Sequence, residues 1–403
     1  MHRLKIFSFL FILPALLNGA SATSKPNNFA FREAPSVTIL DDGSKHNISP
    51  LRGNIQIVGR QLQINGQPFI MKGICYNPVP KGATYPDGLI TNNPTDDDLA
   101  VIEKDFQMMH AAGINTIRTY QPLLDPRILD LLTKYELRTI VPVFNNHLET
   151  VNNVESTISA LKDHPSTLIW EVGNEWNYNF FYSQTASNPQ GIGLTQSITL
   201  LENVAHVVRL MDNTHPISTV LGDIPPPTDD IWPQLNLKGI DLFKEIDLYG
   251  INVYSGITFG DRLTRWIGTS SKPLYLAEFG TDAYNINIGP IDPTTGKPTG
   301  GEDDATQDLV IDSLANEVLS SLSALNPNNA LVGGNLFEWC DEWWKPNVPP
   351  PGIPDPPDSH APGGTSAPSL DHALNERWFG ILDIDRNPRP AYYTLQKLYS
   401  NSL

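Results

Sequence analysis

The chain has 403 residues, of which 40% are hydrophobic and 18% are charged, a balance typical of a folded globular protein. Its formal net charge of −17 argues against nucleic acid and anionic membranes as partners, because such a surface repels phosphate groups. The presence of only two cysteines excludes a disulfide-rich scaffold and a four-thiolate metal site. The histidines lack metal-binding spacing, so we expect neither a metal nor a cofactor.

Residues 1–22 are typical of a secretory signal peptide. Arg3 and Lys5 precede an apolar run that ends at Leu17, and small residues follow up to Ala22. We therefore expect export to the periplasm or the extracellular space. Because no later stretch reaches the roughly 20 apolar residues that span a bilayer, we expect no membrane insertion.

A polar arm and a small β-element precede the main domain, which the pattern places at residues 54–403. Residues 23–53 are polar and punctuated by Pro and Asn, and they predict a flexible arm. The alternation that begins at Ile55 is interrupted by Asn65-Gly66, a strong β-hairpin signal.

The rest of the chain repeats a strand and then a helix, and this rhythm favours parallel βαβ units. We predict an α/β fold, a single (β/α)₈ barrel with the small β-element before it and a Pro-rich loop at residues 345–370. The first helix has a capping box at Thr95 and Asp98 and a stop signal at Gly113. The predicted strands are Phe69–Tyr76, Ile114–Tyr120, Arg138–Phe144, Thr167–Gly173, Ile217–Leu221, Leu248–Tyr254, Leu274–Glu278 and Leu331–Trp339.

Two glutamates end the fourth and seventh predicted strands. Glu175 and Glu278 are 103 residues apart, close to the three βα units that separate these strands in a barrel, whose active site lies at the C-terminal strand ends. Cleavage of a glycosidic bond with retention requires one protonated carboxyl group and one ionised carboxylate. The pair therefore indicates a glycosidase, whereas either glutamate alone is more often a solvated strand-end carboxylate.

The sequence around these glutamates resembles the clan of retaining barrel glycosidases, and most of all the barrel of glycoside hydrolase family 2 and the family 72 β-glucanosyltransferases. The resemblance covers roughly residues 55 to 400. The motifs that carry it are Gly173-Asn174-Glu175, Ala277-Glu278-Phe279-Gly280, Gly113-Ile-Asn-Thr-Ile-Arg118, Met71-Lys-Gly-Ile-Cys-Tyr76, Gly250-Ile-Asn-Val-Tyr254, Trp378-Phe-Gly-Ile-Leu-Asp383 and Pro388-Arg-Pro-Ala-Tyr392.

This resemblance implies a role for each matching residue. Glu175 would be the acid/base and Glu278 the nucleophile, while Asn174 would hold the hydroxyl group next to the anomeric carbon. Arg118 and Tyr254 would orient Glu278. A cation and a phenol donor at Glu278 would favour its ionised form.

A third glutamate, Glu171, points to the same side of its strand as Glu175 because strand residues alternate. It is a reserve candidate for the acid. An internal salt bridge is the favoured interpretation, since an unpaired interior charge is costly.

Several further residues are candidates for substrate contacts. Trp339 and Trp176 could provide flat faces for sugar rings, with core packing as the alternative. Asn145 and His147 follow the third strand. Cys75 and Cys340 fall on the first and eighth strands, which are neighbours in a closed barrel, so they form either a disulfide or two free thiols.

These observations predict an exported glycosidase that acts on a carbohydrate, such as a β-glucan or a related neutral glycan, by double displacement. A transglycosidase that uses the same residues is the alternative within catalysis. A carbohydrate-binding protein on an inactive barrel is the alternative outside it.

Overall fold

The computed structural model describes residues 51, 53–145, 151–177, 191–224, 243–345, 364–366 and 369–401. The predicted signal peptide and nearly all of the predicted arm lie outside the described residues, as does most of the Pro-rich loop. Within the described part, no helix combines the length and the apolar character needed to cross a bilayer.

The described residues form short β-elements, a set of parallel strands and the helices between them. In chain order the elements are β1 (Ile55–Val58), β2 (Gln61–Ile64), β3 (Gln67–Pro68), β4 (Met71–Cys75), α1 (Asp96–Ala111), β5 (Thr116–Arg118), α2 (Pro126–Lys134), β6 (Arg138–Phe144), α3 (Val151–Leu161), β7 (Thr167–Val172), α4 (Leu194–Met211), β8 (Ile217–Gly222), β9 (Leu248–Val253), α5 (Arg262–Thr269), β10 (Leu274–Phe279), β11 (Tyr284–Asn285), β12 (Gly301–Glu302), α6 (Asp304–Ser320), β13 (Leu331–Leu336), β14 (Gly364–Ser366), β15 (Ala373–Asn375), the 3₁₀ helix η1 (Glu376–Trp378) and α7 (Pro390–Asn401).

Eight parallel strands close into a barrel in the order β4, β5, β6, β7, β8, β9, β10 and β13, with β13 paired to β4. These are barrel strands one to eight. The predicted (β/α)₈ fold is therefore confirmed. All eight predicted strands are present, and the third has the predicted bounds, whereas the eighth ends at Leu336 and not at Trp339.

The local signals in the sequence correspond to observed contacts. The Thr95 hydroxyl accepts a hydrogen bond from the Asp98 main-chain N–H, and the Asp98 carboxylate accepts one from the Thr95 N–H, so the capping box starts α1 as predicted. Asn65 and Gly66 have φ angles of 53° and 77° and form the turn between β2 and β3. Positive φ at both turn residues is the geometry that Asn-Gly favours.

The N-terminal end of the barrel is filled by apolar side chains. Leu62 of β2 belongs to the same buried cluster as Ile169, Val220 and Leu248, which lie on three different barrel strands. The small sheet β1–β2–β3 thus packs against the apolar residues at the N-terminal end of the barrel. The polar candidate site residues lie at the opposite end, where the barrel strands have their C-termini.

Candidate active site

The two predicted catalytic carboxyl groups both lie at the C-terminal end of the barrel, close enough for the charge of Glu278 to act on Glu175. Glu278 is a residue of β10 and is 6% exposed, while half-buried Glu175 lies just beyond the end of β7. The backbone turns sharply before Glu175, where Gly173 has φ of +83° and a Cβ would lie 2.8 Å from Leu201. This close approach explains why a glycine occupies that position.

Glu175 itself has φ of +47°, a left-handed conformation that costs a non-glycine residue about 1 to 3 kcal/mol. The next residue, Trp176, is fully buried, and its ring packs edge-on against Phe243 with centroids 5.9 Å apart. Packing of Trp176 therefore helps to hold the turn that positions Glu175.

Three donors converge on the carboxylate of Glu278. Arg118 Nη1 lies 2.7 Å and Tyr120 OH 2.6 Å from its Oε1, while Tyr254 OH lies 2.8 Å from its Oε2. Donors on both oxygens stabilise the negative charge and fix the plane of the carboxylate. This arrangement suits a nucleophile.

Both phenols remain donors over the whole working range of pH. Burial, followed by the charge of Glu278, raises the pKa of Tyr254 well above its ordinary value of 10. Burial and the charge of Glu278 also raise the pKa of Tyr120 well above its ordinary value. The thiol of Cys75 is itself neutral, because burial raises its pKa to about 12.

Arg118 connects Glu278 to the barrel interior. Its Nε and Nη2 each lie 2.8 Å from a different oxygen of Glu171, and Tyr275 OH donates to Glu171 Oε2 at 3.0 Å. Arg118 and Glu171 are both almost fully buried. Glu171 is therefore the internal salt-bridge partner that the sequence favoured.

The environment of Glu175 favours its protonated form. Burial in the pocket and the nearby charge of Glu278 raise the pKa of Glu175 to about 7, although a hydrogen bond from Asn252 and the charge of Arg118 act in the opposite direction. The Asn252 Nδ2 lies 3.0 Å from Glu175 Oε1. Near neutral pH this carboxyl group can both donate and accept a proton, as an acid/base must.

Asn174 links the two carboxyl groups. Its Oδ1 accepts a hydrogen bond from Arg118 Nη2 at 2.8 Å and a longer one from Asn252 Nδ2 at 3.3 Å. Two donors on Oδ1 fix the orientation of the amide. A continuous path of hydrogen bonds thus runs from Glu278 through Arg118, Asn174 and Asn252 to Glu175.

Two residues that donate a hydrogen bond to Glu278 or Glu175 were not predicted as site residues, Tyr120 and Asn252. Each lies two positions from a residue that was predicted, Arg118 and Tyr254 respectively. Side chains two positions apart in an extended segment point the same way. The alternation that favoured Arg118 and Tyr254 could therefore have found both.

Asn145 and His147 were the two predicted substrate contacts after the third barrel strand. Asn145 follows β6 and donates from Nδ2 to the main-chain oxygen of Tyr120 at 3.0 Å, so it supports the phenol that binds Glu278. His147 lies outside the described residues.

The predicted sugar-stacking faces of Trp176 and Trp339 require correction. Both side chains are 0% exposed, and Trp339 packs edge-on against Tyr392 of α7 with ring centroids 6.2 Å apart. A fully buried ring cannot present a face to a sugar, so both tryptophans stabilise the barrel. Trp344, an aromatic residue of the strand-eight loop, is half-buried and stacks on Tyr85 with ring centroids 5.1 Å apart.

The cysteines are two free thiols. Cys75 and Cys340 are both buried and unbridged, so the disulfide alternative is wrong. Their packing explains this, because the two side chains belong to different apolar clusters.

Comparison with known proteins places this geometry in context. Residues 141–291, which include Glu175 and Glu278, match the sequence model described as glycosyl hydrolases family 2, TIM barrel domain. Over this segment the chain resembles the family 2 barrel. This agrees with the resemblance found in the motifs. A search of curated proteins finds no match.

Solved structures with the same fold include β-glucuronidases and a family 2 β-galacturonidase. A β-D-glucuronidase from Dictyoglomus thermophilum is 19% identical with a TM-score of 0.56 over 87% of this chain and 54% of its own. A family 2 β-galacturonidase from Eisenbergiella tayi is 17% identical, with a TM-score of 0.53 over 86% of this chain and 54% of its own. A Bacteroides uniformis β-glucuronidase is 17% identical, with a TM-score of 0.57 over 86% of this chain and 37% of its own.

The chain therefore spans about half the length of the first two proteins and less of the third. At these identities the likeness establishes the barrel fold.

Proposed function

We propose that the chain is a retaining β-glycoside hydrolase in which Glu278 is the nucleophile and Glu175 the acid/base. The observation that carries this proposal is the contrast between the two carboxyl groups. Glu278 receives three donors, two of them at 2.7 Å or less, whereas the pKa of Glu175 is raised to about 7. Environments that separate two carboxyl groups in this way assign the acid and the nucleophile.

The reaction proceeds in two displacements. In the first, Glu175 donates its proton to the glycosidic oxygen while Glu278 attacks the anomeric carbon, so that the bond to the leaving group breaks as the ester bond to Glu278 forms. In the second, the carboxylate of Glu175 removes a proton from water, whose oxygen attacks the anomeric carbon and releases Glu278. We assign Asn174 to the hydroxyl group next to the anomeric carbon.

The family match supports the glycosidase class, since it spans both catalytic glutamates. Two classes of sugar have support from different sources. The similar structures are named for β-glucuronides and β-galacturonides, whereas the sequence predicted a neutral glycan. A substrate panel must therefore contain both classes.

We also propose that the protein is exported, on the basis of residues 1–22.

Covalent labelling tests the proposal. Wild-type protein is incubated with slow fluorinated β-glycosides of neutral and uronic sugars, and its intact mass is measured. We expect one sugar-sized adduct, which peptide mapping locates on Glu278. The Glu278→Gln variant should remain unlabelled, whereas Glu103→Gln, a change at an outer ion pair with Lys134, should label normally.

Two results would oppose the proposal. An adduct on a residue other than Glu278 would remove the nucleophile assignment. A protein that binds glycans but cleaves, transfers and retains none of them would instead be a carbohydrate-binding protein. A longer product formed from a β-glucan would identify the transglycosidase alternative.

A further inference from the structure

The side chain of Asn177, two residues after Glu175, is bonded to the end of a neighbouring barrel strand. Its Oδ1 accepts a hydrogen bond from the Gly222 main-chain N–H at 2.7 Å, and its Nδ2 donates one to the Gly222 main-chain oxygen at 3.3 Å. Gly222 is the last residue of β8, and Asn177 is 6% exposed. An Asn amide presents an acceptor and a donor side by side, so it binds both polar main-chain groups of this one residue.

Glu175 lies midway between two attachments of its own chain to β8. Before it, the main-chain oxygen of Gly173 accepts a hydrogen bond from the Val220 N–H at 2.9 Å. After it, the Asn177 amide is bonded to Gly222. The chain between them no longer runs as a strand, because β7 has ended and Glu175 has the left-handed φ of +47°. The second attachment therefore closes a short segment that has the proposed acid/base at its centre.

The end of β8 also supports Asn252, the residue that binds the carboxyl group of Glu175. Gly222 is paired with Asn252 in the register of β8 and β9, and the N–H of Asp223 donates to the Asn252 main-chain oxygen at 2.9 Å. The Asn252 side chain in turn donates to Glu175 Oε1 at 3.0 Å. One strand end thus fixes both the main chain that carries Glu175 and a donor that its carboxyl group meets.

Asp223, which follows the last residue of β8, is itself held by a helix. Its carboxylate receives two hydrogen bonds from Arg262 of α5, from Nε to Oδ1 at 2.6 Å and from Nη2 to Oδ2 at 2.7 Å. A bidentate pair of this kind adds strength and fixes the relative orientation of the two groups. The strand end that Asn177 binds is therefore anchored on its far side as well.

We propose that Asn177 is a positioning residue for the acid/base, and that its bonds to Gly222 set where Glu175 meets the glycosidic oxygen. The inference rests on the proposed function and adds to it a residue that acts through the main chain. Proton transfer requires the carboxyl group to come within about 2.6 to 3.2 Å of the oxygen that it protonates. Because a displacement of about 1 Å can lower a rate about 100-fold, loss of the Asn177 amide should impair protonation more than nucleophilic attack.

The dependence of the rate on the leaving group tests the inference. A phenolate is a poor leaving group that needs the proton of Glu175, whereas a dinitrophenolate departs almost without it. We measure kcat/KM, which reports the first displacement, for the phenyl and dinitrophenyl β-glycosides of glucose and of glucuronic acid. In Asn177→Ala we expect a loss of about 10- to 100-fold for the phenyl glycoside of the sugar that wild type cleaves, and a much smaller loss for its dinitrophenyl glycoside.

Asn115 provides a matched control, because it makes the same kind of contact at the N-terminal end of the barrel. Its Oδ1 accepts a hydrogen bond from the Lys72 main-chain N–H at 3.0 Å, and its Nδ2 donates one to the Ile70 main-chain oxygen at 2.9 Å. Asn115→Ala should therefore lower stability while leaving the ratio of the two kcat/KM values unchanged. This ratio does not depend on the folded fraction of a sample, since both glycosides are measured on one preparation.

The outcomes separate this inference from the proposed function. A ratio in Asn177→Ala equal to that of wild type, with both glycosides cleaved, would overturn the positioning role and leave the glycosidase standing. If Asn177→Ala yields no folded protein, Asn177→Asp, which keeps an acceptor for the Gly222 N–H, is measured in its place. The same direction of change is expected, and an unchanged ratio would overturn the inference.

If wild type cleaves neither sugar, the proposed function fails, and the titration of Glu175 replaces the kinetic ratio. Carbon-13 NMR follows the carboxyl signal, which Glu175→Gln identifies. The hydrogen bond from Asn252 lowers the pKa of Glu175, so a turn that moves away from Asn252 in Asn177→Ala should raise that pKa. The same pKa in Asn177→Ala and Asn115→Ala would overturn the positioning role.

Discussion

Asn252 Nδ2 donates a hydrogen bond to Glu175 Oε1 at 3.0 Å. Asn252 is 3% exposed and lies on β9, so the barrel wall holds the donor in place. Because the acceptor oxygen is engaged by an N–H group, the proton of the acid form belongs on the other oxygen, Oε2. The contact therefore both orients Glu175 and moderates the pKa that burial has raised.

The pH dependence of kcat/KM should report this contact. With the pKa of Glu175 at about 7, activity should be lost as pH rises through about 7, since the deprotonated group cannot protonate the leaving oxygen. The bond from Asn252 lowers that pKa, so Asn252→Ala should move the basic limb to higher pH and reduce the maximum. Asn285→Ala, which alters a contact to Asp303 outside the site, is the control. A basic limb at the same pH in Asn252→Ala would contradict this account.

The two phenols at Glu278 should contribute separately to catalysis. Tyr120→Phe and Tyr254→Phe each remove one hydrogen bond to a different carboxylate oxygen. A hydrogen bond to a charged group contributes about 1.5 to 3 kcal/mol, so each change should lower kcat/KM roughly 10- to 100-fold. Tyr284→Phe, whose phenol donates to the Thr299 main-chain oxygen, should be near wild type. Full activity in either site variant would show that its phenol is dispensable.

Glu171 should matter for stability and not as the acid. Glu171→Gln breaks a fully buried pair with Arg118, and losing one partner of such a pair costs about 3 kcal/mol or more. We expect a lower midpoint of thermal unfolding and residual activity that added azide does not restore. Restoration by azide would instead reveal Glu171 as a proton donor.

The cysteines should behave as two unreactive thiols. Burial raises the pKa of both Cys75 and Cys340 to about 12, so an alkylating reagent should leave the native protein unmodified. When the protein is denatured without reductant and treated with the same alkylating reagent, mass spectrometry should find two adducts. If the reagent adds to neither cysteine until a reductant is present, the two cysteines form a disulfide.

The barrel was predictable because its signals are local and repeated. Strand bounds such as Arg138–Phe144 follow from runs of apolar residues, and the start of α1 follows from the Thr95–Asp98 capping box. The location of Glu175 and Glu278 at one end of the barrel was predictable as well, since their spacing along the chain reflects the number of intervening βα units.

What sequence could not predict depends on contacts between distant segments. Trp339 follows a barrel strand, as a sugar-stacking residue would, yet Tyr392 of the last helix packs against it and completes its burial. Cys75 ends the first barrel strand and Cys340 follows the neighbouring eighth strand, but their side chains enter different clusters. Glu376 likewise lies 3.4 Å from Lys345, although the predicted Pro-rich loop separates them in the sequence.

The stereochemistry of azide rescue tests the assignment of Glu278 and Glu175 most directly. Glu175→Ala is incubated with an activated β-glycoside and sodium azide, and the product is identified by NMR. Because azide must attack the sugar from the face opposite Glu278, the account predicts faster turnover and a β-glycosyl azide. An α-glycosyl azide, or no rescue with a substrate that wild type cleaves, would contradict it.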